Sequence, residues 1–179
     1  MPLVLHLLAA LLVASPTAAR AHDIPDQIGV QGFIKPEGRT PTFLVRVPLK
    51  AMRDVDVPQR AGGFLDFARA ERALRDAATL WLANEIELYE GDARLGVLHV
   101  ADTRVSLGSH RTFQSYEQTL AYVSAPRLGN DTELYWNQGL LDVPLEYSIA
   151  SERGDFSIRP RLERLGLRVN TALRVMPPE

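Results

Sequence analysis

Hydrophobic positions recur along this chain at two periods, and the switches between them divide it into elements. Over 27–34 the pattern alternates, with Ile28, Val30 and Ile34 on one face, and Pro36-Glu37-Gly38 ends the run as a turn. Over 42–49 the alternation is clearer: Phe43, Val45, Val47 and Leu49 face one way and Arg46 the other, so the two stretches predict a β-hairpin. Pro48 and Pro58 restrict ladder pairing nearby, and Arg60-Ala61-Gly62-Gly63 reads as a flexible joint. The period then lengthens. Phe67, Ala70, Leu74, Ala77 or Ala78 and Trp81 recur at helical spacing over 66–83, while Glu71 with Arg75 and Arg72 with Asp76 stand at ion-pair spacing on one helix. Such a helix lays one apolar stripe on a sheet.

Alternation returns at 85–89, followed by the turn Glu90-Gly91-Asp92 and a long arm over 94–107 that sets Leu95, Val97, His99, Val105 and Leu107 on one face, a second hairpin. Phe113, Tyr116 and Leu120 are spaced for a short helix over 113–123, and 125–137 reads as a loop. Two final strands follow. Leu141, Val143, Leu145, Tyr147 and Ile149 alternate with Asp142, Glu146 and Ser148; Leu167, Val169, Leu173 and Val175 alternate with Arg168, Asn170 and Arg174. Strands with one apolar face need a second layer to cover it. The expectation is therefore a mainly β, antiparallel β-sandwich-like domain with one or two packed helices, with an α+β arrangement as the alternative. No internal repeat or interdomain linker is visible.

Composition narrows the setting. Residues 3–14 (LVLHLLAALLVA) are almost wholly apolar, Ser15-Pro16 breaks the run, and Ala19-Arg20-Ala21 offers small residues in A-x-A spacing, which reads as a signal peptide over 1–21 cleaved before His22. A single exported, extracytoplasmic or periplasmic domain over 22–179 would follow. The apolar run is shorter than the ~20 residues a membrane helix needs, and no later stretch is a candidate span. With 20 Lys+Arg against 22 Asp+Glu, a net charge of −2 gives no electrostatic footprint for nucleic acid. Cysteine is absent, which excludes disulfides, thiolate zinc sites, iron–sulfur clusters and cysteine nucleophiles.

Candidate chemistry is sparse. Cleavage before His22 would create an amino-terminal histidine able to chelate nickel or copper through its amine and imidazole, with Asp23 and Asp26 as further oxygen donors and His99 and His110 as the remaining histidines. The competing reading is a frayed end that happens to start with histidine. His99 alternates with apolar neighbours, which favours a partly buried, hydrogen-bonded histidine over a ligand. His110 lies in the loop Gly108-Ser109-His110-Arg111. Neither Ser106 nor Ser109 has the glycine-flanked elbow of a serine hydrolase, so a secreted hydrolase is the weakest reading. Glu85, Glu87, Glu90 and Asp92 lack the spacing of a calcium loop and read as a solvated strand face. Tyr135-Trp136 reads as core or corner packing rather than a stacking platform. From Glu152 to Glu179 six arginines face four acids, a local excess that reads as arginine on a wet strand face, with anionic head groups or an acidic partner as the alternatives.

The segments AHDIPDQIGVQGFIKPEGR, FLVRVPLKAMRDVDVP, LRDAATLWLANEIELYEGDARL, YWNQGLLDVPLEY and SERGDFSIRPRLERLGLRV together carry a family likeness. The chain resembles the N-terminal extracytoplasmic domain of bacterial HupE/UreJ-type membrane proteins over nearly all of 21–176. The resemblance implies a non-enzymatic exported domain that precedes membrane helices in a protein linked to uptake of nickel or a related metal. Its partner would be a membrane protein or a membrane segment of its own beyond Val175-Met176-Pro177-Pro178-Glu179; the alternative is a free periplasmic metal-binding module using His22. The family's transport residues, a His and an Asp-His pair in a membrane helix, have no counterpart in this chain, so none is carried over.

Overall fold

A computed structural model describes residues 25–177; the signal-peptide boundary, His22 and Asp23 lie outside them. The first two alternating stretches form the expected antiparallel pair, β1 (Gln27–Ile34) and β2 (Thr42–Pro48). The helical stripe becomes α1 (Glu71–Ala78), extended by a wider turn over Thr79–Ala83. It begins later than 66 for a backbone reason. Leu65 and Asp66 donate their N–H groups to Leu134 and Pro58, which holds the chain extended there, and a separate turn closed by Ala70 N–H on the Asp66 carbonyl precedes the helix.

After α1 come β3 (Ile86–Glu90), β4 (Ala93–Leu95), β5 (Val97–Val100) and β6 (Arg104–Leu107). The long hairpin arm expected over 94–107 is thus three strands. β4 pairs with β3, whereas β5 and β6 leave that hairpin and pair with β7 (Gly139–Tyr147) in another sheet. The gap between β5 and β6 falls opposite Pro144, whose carbonyl accepts from Ala101 N–H at 3.0 Å but which has no N–H to return to the ladder. The short helix α2 (Tyr116–Val123) starts at Ser115, whose hydroxyl accepts from Gln118 N–H. Its buried stripe is Tyr116, Thr119 and Val123, with Leu120 left exposed instead of facing inward with Phe113.

The chain finishes with β8 (Phe156–Pro160) and β9 (Arg168–Val175). The large sheet runs β5-β7-β2-β1-β9 with β6 also on β7, and the small one runs β4-β3-β8. Among the described residues all strand pairings are antiparallel except β1 with β9, which is parallel because the chain crosses to the small sheet in β8 before returning. The result is the β-rich, two-sheet arrangement with two helices that the alternation implied.

The main core lies between the inner face of the large sheet and a cover made of α1, the turn after it and the small sheet. Ile28, Val30, Phe43, Val45, Val47, Leu141, Val143 and Leu145 meet Leu74, Ala78, Trp81, Leu82, Ile86 and Leu88 there. Gly32 is required by this packing: a Cβ on it would stand 2.8 Å from Leu173 Cδ2, 2.9 Å from Phe43 Cε2 and 3.1 Å from the Leu44 carbonyl oxygen. A smaller apolar cluster of Phe33, Leu44, Phe113, Tyr116 and Val123 lies on the outer face, under α2. That face is therefore not the fully wet one the alternation suggested.

Candidate functional site

Register places the densest polar cluster on that outer face. Arg46 of β2 and Arg104 of β6 are the direct cross-strand neighbours of Asp142 in β7. Arg46 Nε and Nη2 donate to Asp142 Oδ1 and Oδ2 at 2.5 and 2.8 Å, a two-pronged pair. The Ser106 hydroxyl donates to the same Oδ2. Arg46 also ties down the approach to α2, donating from Nη1 to the His110 carbonyl at 3.0 Å and from Nη2 to Thr112 Oγ1 at 3.2 Å, while the Phe113 ring lies 4.6 Å from its guanidinium. Asp142 is 0% exposed and Arg46 4%.

Arg104 turns away from Asp142 to different acceptors. Its Nη1 and Nη2 donate to the carbonyls of Ala125 and Pro126 at 2.5 and 2.7 Å, and its guanidinium stacks 4.0 Å from the Tyr122 ring. His110 stacks on the same tyrosine, centroids 4.8 Å apart. The cluster thus clamps α2 and its flanking loops to the sheet. Ser106 is fully buried and its hydroxyl is committed to Asp142, so it offers no nucleophile to solvent.

A second charged cluster sits on the outer face of the small sheet and corrects the solvated reading at Glu87, while Asp92 is exposed as that reading has it. Glu87 is 6% exposed and accepts from the Tyr89 hydroxyl at 2.9 Å. Arg94, Arg159 and Arg161 bring guanidinium nitrogens to 3.5, 4.0 and 3.6 Å of its carboxylate. The Tyr89 hydrogen bond and the charges of Arg94 and Arg161 hold this carboxyl below the usual glutamate value against the opposing effect of burial. Glu90 accepts from the backbone N–H groups of Ala150 and Ser151, both at 2.7 Å, pinning the turn before β8. Asp66 is likewise lowered, chiefly by its hydrogen bond from Arg69.

The histidines do not assemble a site among the described residues. His99 is exposed, not partly buried: the irregular pairing between Val97 and His99 turns it to the outer face, where Nε2 stands 3.6 Å from Glu146 Oε2. His110 faces Tyr122 as described. No group of three or more His, Cys, Asp or Glu stands together to hold a metal ion among the described residues, and one imidazole with one carboxylate is too small a donor set for nickel or copper. Asp26 precedes β1, where its carbonyl accepts from Arg168 N–H. Tyr135 is exposed and packs on Phe64 with centroids 4.8 Å apart, a corner contact.

Of the surface depressions among the described residues, two bear on the argument. One of about 310 Å³ runs between 52–59 and Trp136, with Asp54 and Asp56 in its wall. Asp54 there adopts φ 63°, a left-handed turn conformation that a short polar side chain tolerates. The other, also about 310 Å³, lies between β8 and β9. No helix among the described residues is long and apolar enough to cross a membrane. The pairing of Arg46 with Asp142, and of Glu87 with three arginines, was invisible to pattern reading because it depends on strand order; the only sequence signal was charge at the outward phase of the strands. Comparison with protein-family models, curated proteins and solved structures finds no match to this chain.

Proposed function

We propose that the chain is an exported, non-enzymatic β-rich domain acting at the outer face of a membrane. It serves there as the extracytoplasmic part of a HupE/UreJ-type protein, or as a free relative of it, in uptake of nickel or a related metal. One observation carries the reading: the segments that bear the resemblance coincide with the framework of the fold rather than with one isolated motif. They contain β1 and all of β2 but its first residue, the end of α1 with β3 and β4, all of β7, and β8 with the start of β9. The buried Arg46–Asp142–Ser106 cluster supports the non-enzymatic part of the reading, since its polar atoms are spent on one another and offer no reactive group to a substrate.

The test is the intact mass of the native protein and its division between periplasmic and membrane fractions. A species that starts at His22 and carries or accompanies membrane helices supports the reading; a species that keeps residues 1–21 in the cytoplasm overturns it. The metal link of the main reading rests on the resemblance, and the alternative of a free metal-binding module rests on His22; titration of the processed protein with nickel and copper, beside its His22→Ala variant, checks that alternative, and equal affinities remove His22 from metal handling.

A further inference from the structure

We infer that the free edge of β9 is a docking site for an extended segment of a partner protein in which apolar and acidic residues alternate. The inference deepens the proposed binding role and rests on it. β9 is the last strand of the large sheet, joined to β1 through all eight of its residues and to no other strand among the described residues. Its Arg168 N–H donates to Asp26 and the Met176 N–H that follows it donates to Ile34. The strand period of two then turns the backbone groups of Val169, Thr171, Leu173 and Val175 away from β1, to a side where no strand stands among the described residues. An unpaired row of this kind is a template for one more strand.

The two faces beside that edge specify what the added strand carries. Inward lies the groove of about 310 Å³ between β9 and β8, lined by Phe156, Ile158, Pro160, Thr171, Leu173 and Val175. It takes every second side chain of an added strand, and its lining asks for aliphatic ones. Outward stand Arg168 and Arg174. Both are exposed, and neither has a carboxylate partner among the described residues; Arg174 only overlies the Phe33 ring, at 5.6 Å. The intervening side chains of the added strand would come alongside these two guanidiniums, where acids are complementary.

Charge also selects against the nearest competitor. Two copies of β9 pairing antiparallel about Thr171 would set Arg168 opposite Arg174 on both sides of the centre, like charge against like. The arginines thus guard the edge against self-association while leaving it attractive to an acidic strand.

The experiment uses the full chain and three fluorescein-labelled peptides of eight residues, the length of β9: alternating Glu/Val, alternating Lys/Val and alternating Glu/Ser. Fluorescence anisotropy is expected to show binding of the Glu/Val peptide, with the other two weaker by about tenfold or more, the scale of one lost charge-assisted or apolar anchor. Arg168→Glu combined with Arg174→Glu is expected to reverse the preference toward Lys/Val. Thr171→Pro removes one N–H that faces the open edge, a place where proline leaves the β1 ladder intact, and is expected to abolish binding with the fold retained by circular dichroism. Three results overturn the inference: equal binding of all three peptides, binding unchanged by Thr171→Pro, or a concentration-dependent dimer that Thr171→Pro dissolves, which would make a second copy the occupant. Absence of Glu/Val binding overturns it too, whatever the cellular fractionation shows, so the two claims fail separately.

Discussion

Asp142 and Arg46 give the sharpest stability prediction. Asp142→Leu removes the acceptor of two guanidinium bonds, at 2.5 and 2.8 Å, and of the Ser106 hydroxyl, in a place with no solvent to replace it. Breaking one partner of a buried pair costs ~3–5 kcal/mol, because the other charge stays behind unpaired. Against a total stability of ~5–15 kcal/mol for a domain of this kind, that is about a fifth of the whole or more. Arg46→Met has its own penalty: the His110 carbonyl and Thr112 hydroxyl lose their donor as well. The double variant Arg46→Met/Asp142→Leu removes both charges, leaving chiefly the carbonyl of His110 and the hydroxyls of Thr112 and Ser106 to find new partners. It should cost ~1–3 kcal/mol, far below the sum of the single changes. Urea unfolding followed by tryptophan fluorescence measures this, since Trp81 is 3% exposed in the folded chain and reports its loss. A loss below ~1 kcal/mol for Asp142→Leu with an unchanged denaturant slope, or simple additivity in the double variant, would show that the pair is not a coupled buried bridge.

Other substitutions probe other parts of the same construction. Trp81→Ala opens a cavity under α1 and should cost ~3–5 kcal/mol in the same urea assay; an unchanged midpoint would mean the helix stripe does not carry the core. Gly32→Ala should cost ~1–3 kcal/mol by forcing Leu173 and Phe43 apart against a backbone oxygen that cannot yield, and a neutral result would refute that crowding. Glu87 makes stability depend on pH: its folded carboxyl is held below its ordinary value, so on acidification the unfolded chain takes up the proton first. Its contribution is therefore fully present above the ordinary value of about 4.3 and is lost as pH falls through the lower folded value. The stability gap between the native chain and Glu87→Gln should close over that acid range, and a gap that stays constant with pH would contradict it.

Much of the framework was legible because alternation survives burial on one face. Phe43, Val45 and Val47 and Leu141, Val143 and Leu145 point inward as their phase requires, and α1 buries Leu74, Ala77 and Ala78 as a helical stripe should. Phase, however, says which residues share a face and not which strands are neighbours. The arm over 94–107 looked continuous because its apolar positions keep step across Ala101-Asp102-Thr103, yet the proline that splits its ladder is at 144, more than forty positions away. β8 went unread for a related reason: Phe156-Ser157-Ile158-Arg159-Pro160 is short and ends in proline, and it becomes a strand only because β3 offers it an edge. His99 shows the same limit locally, since one irregularity in pairing turned a residue that sequence placed inward out to Glu146.

The candidate sites divide by whether their polar groups already have partners. Arg46, Asp142 and Ser106 are closed on themselves, and Glu87 has drawn three arginines to one carboxylate. Such clusters fix one packing of helix and sheet, and any ligand would have to displace bonds that the fold needs. The backbone of β9 stands in the opposite condition. Its outward donors and acceptors meet no strand among the described residues, and an added strand would pair with them while burying Leu173, Ile158 and Val175 more deeply. The gain from that burial has no competing strand to overcome among the described residues. Recognition by this domain is therefore cheapest at its sheet edge, and the two arginines there decide which strand is accepted.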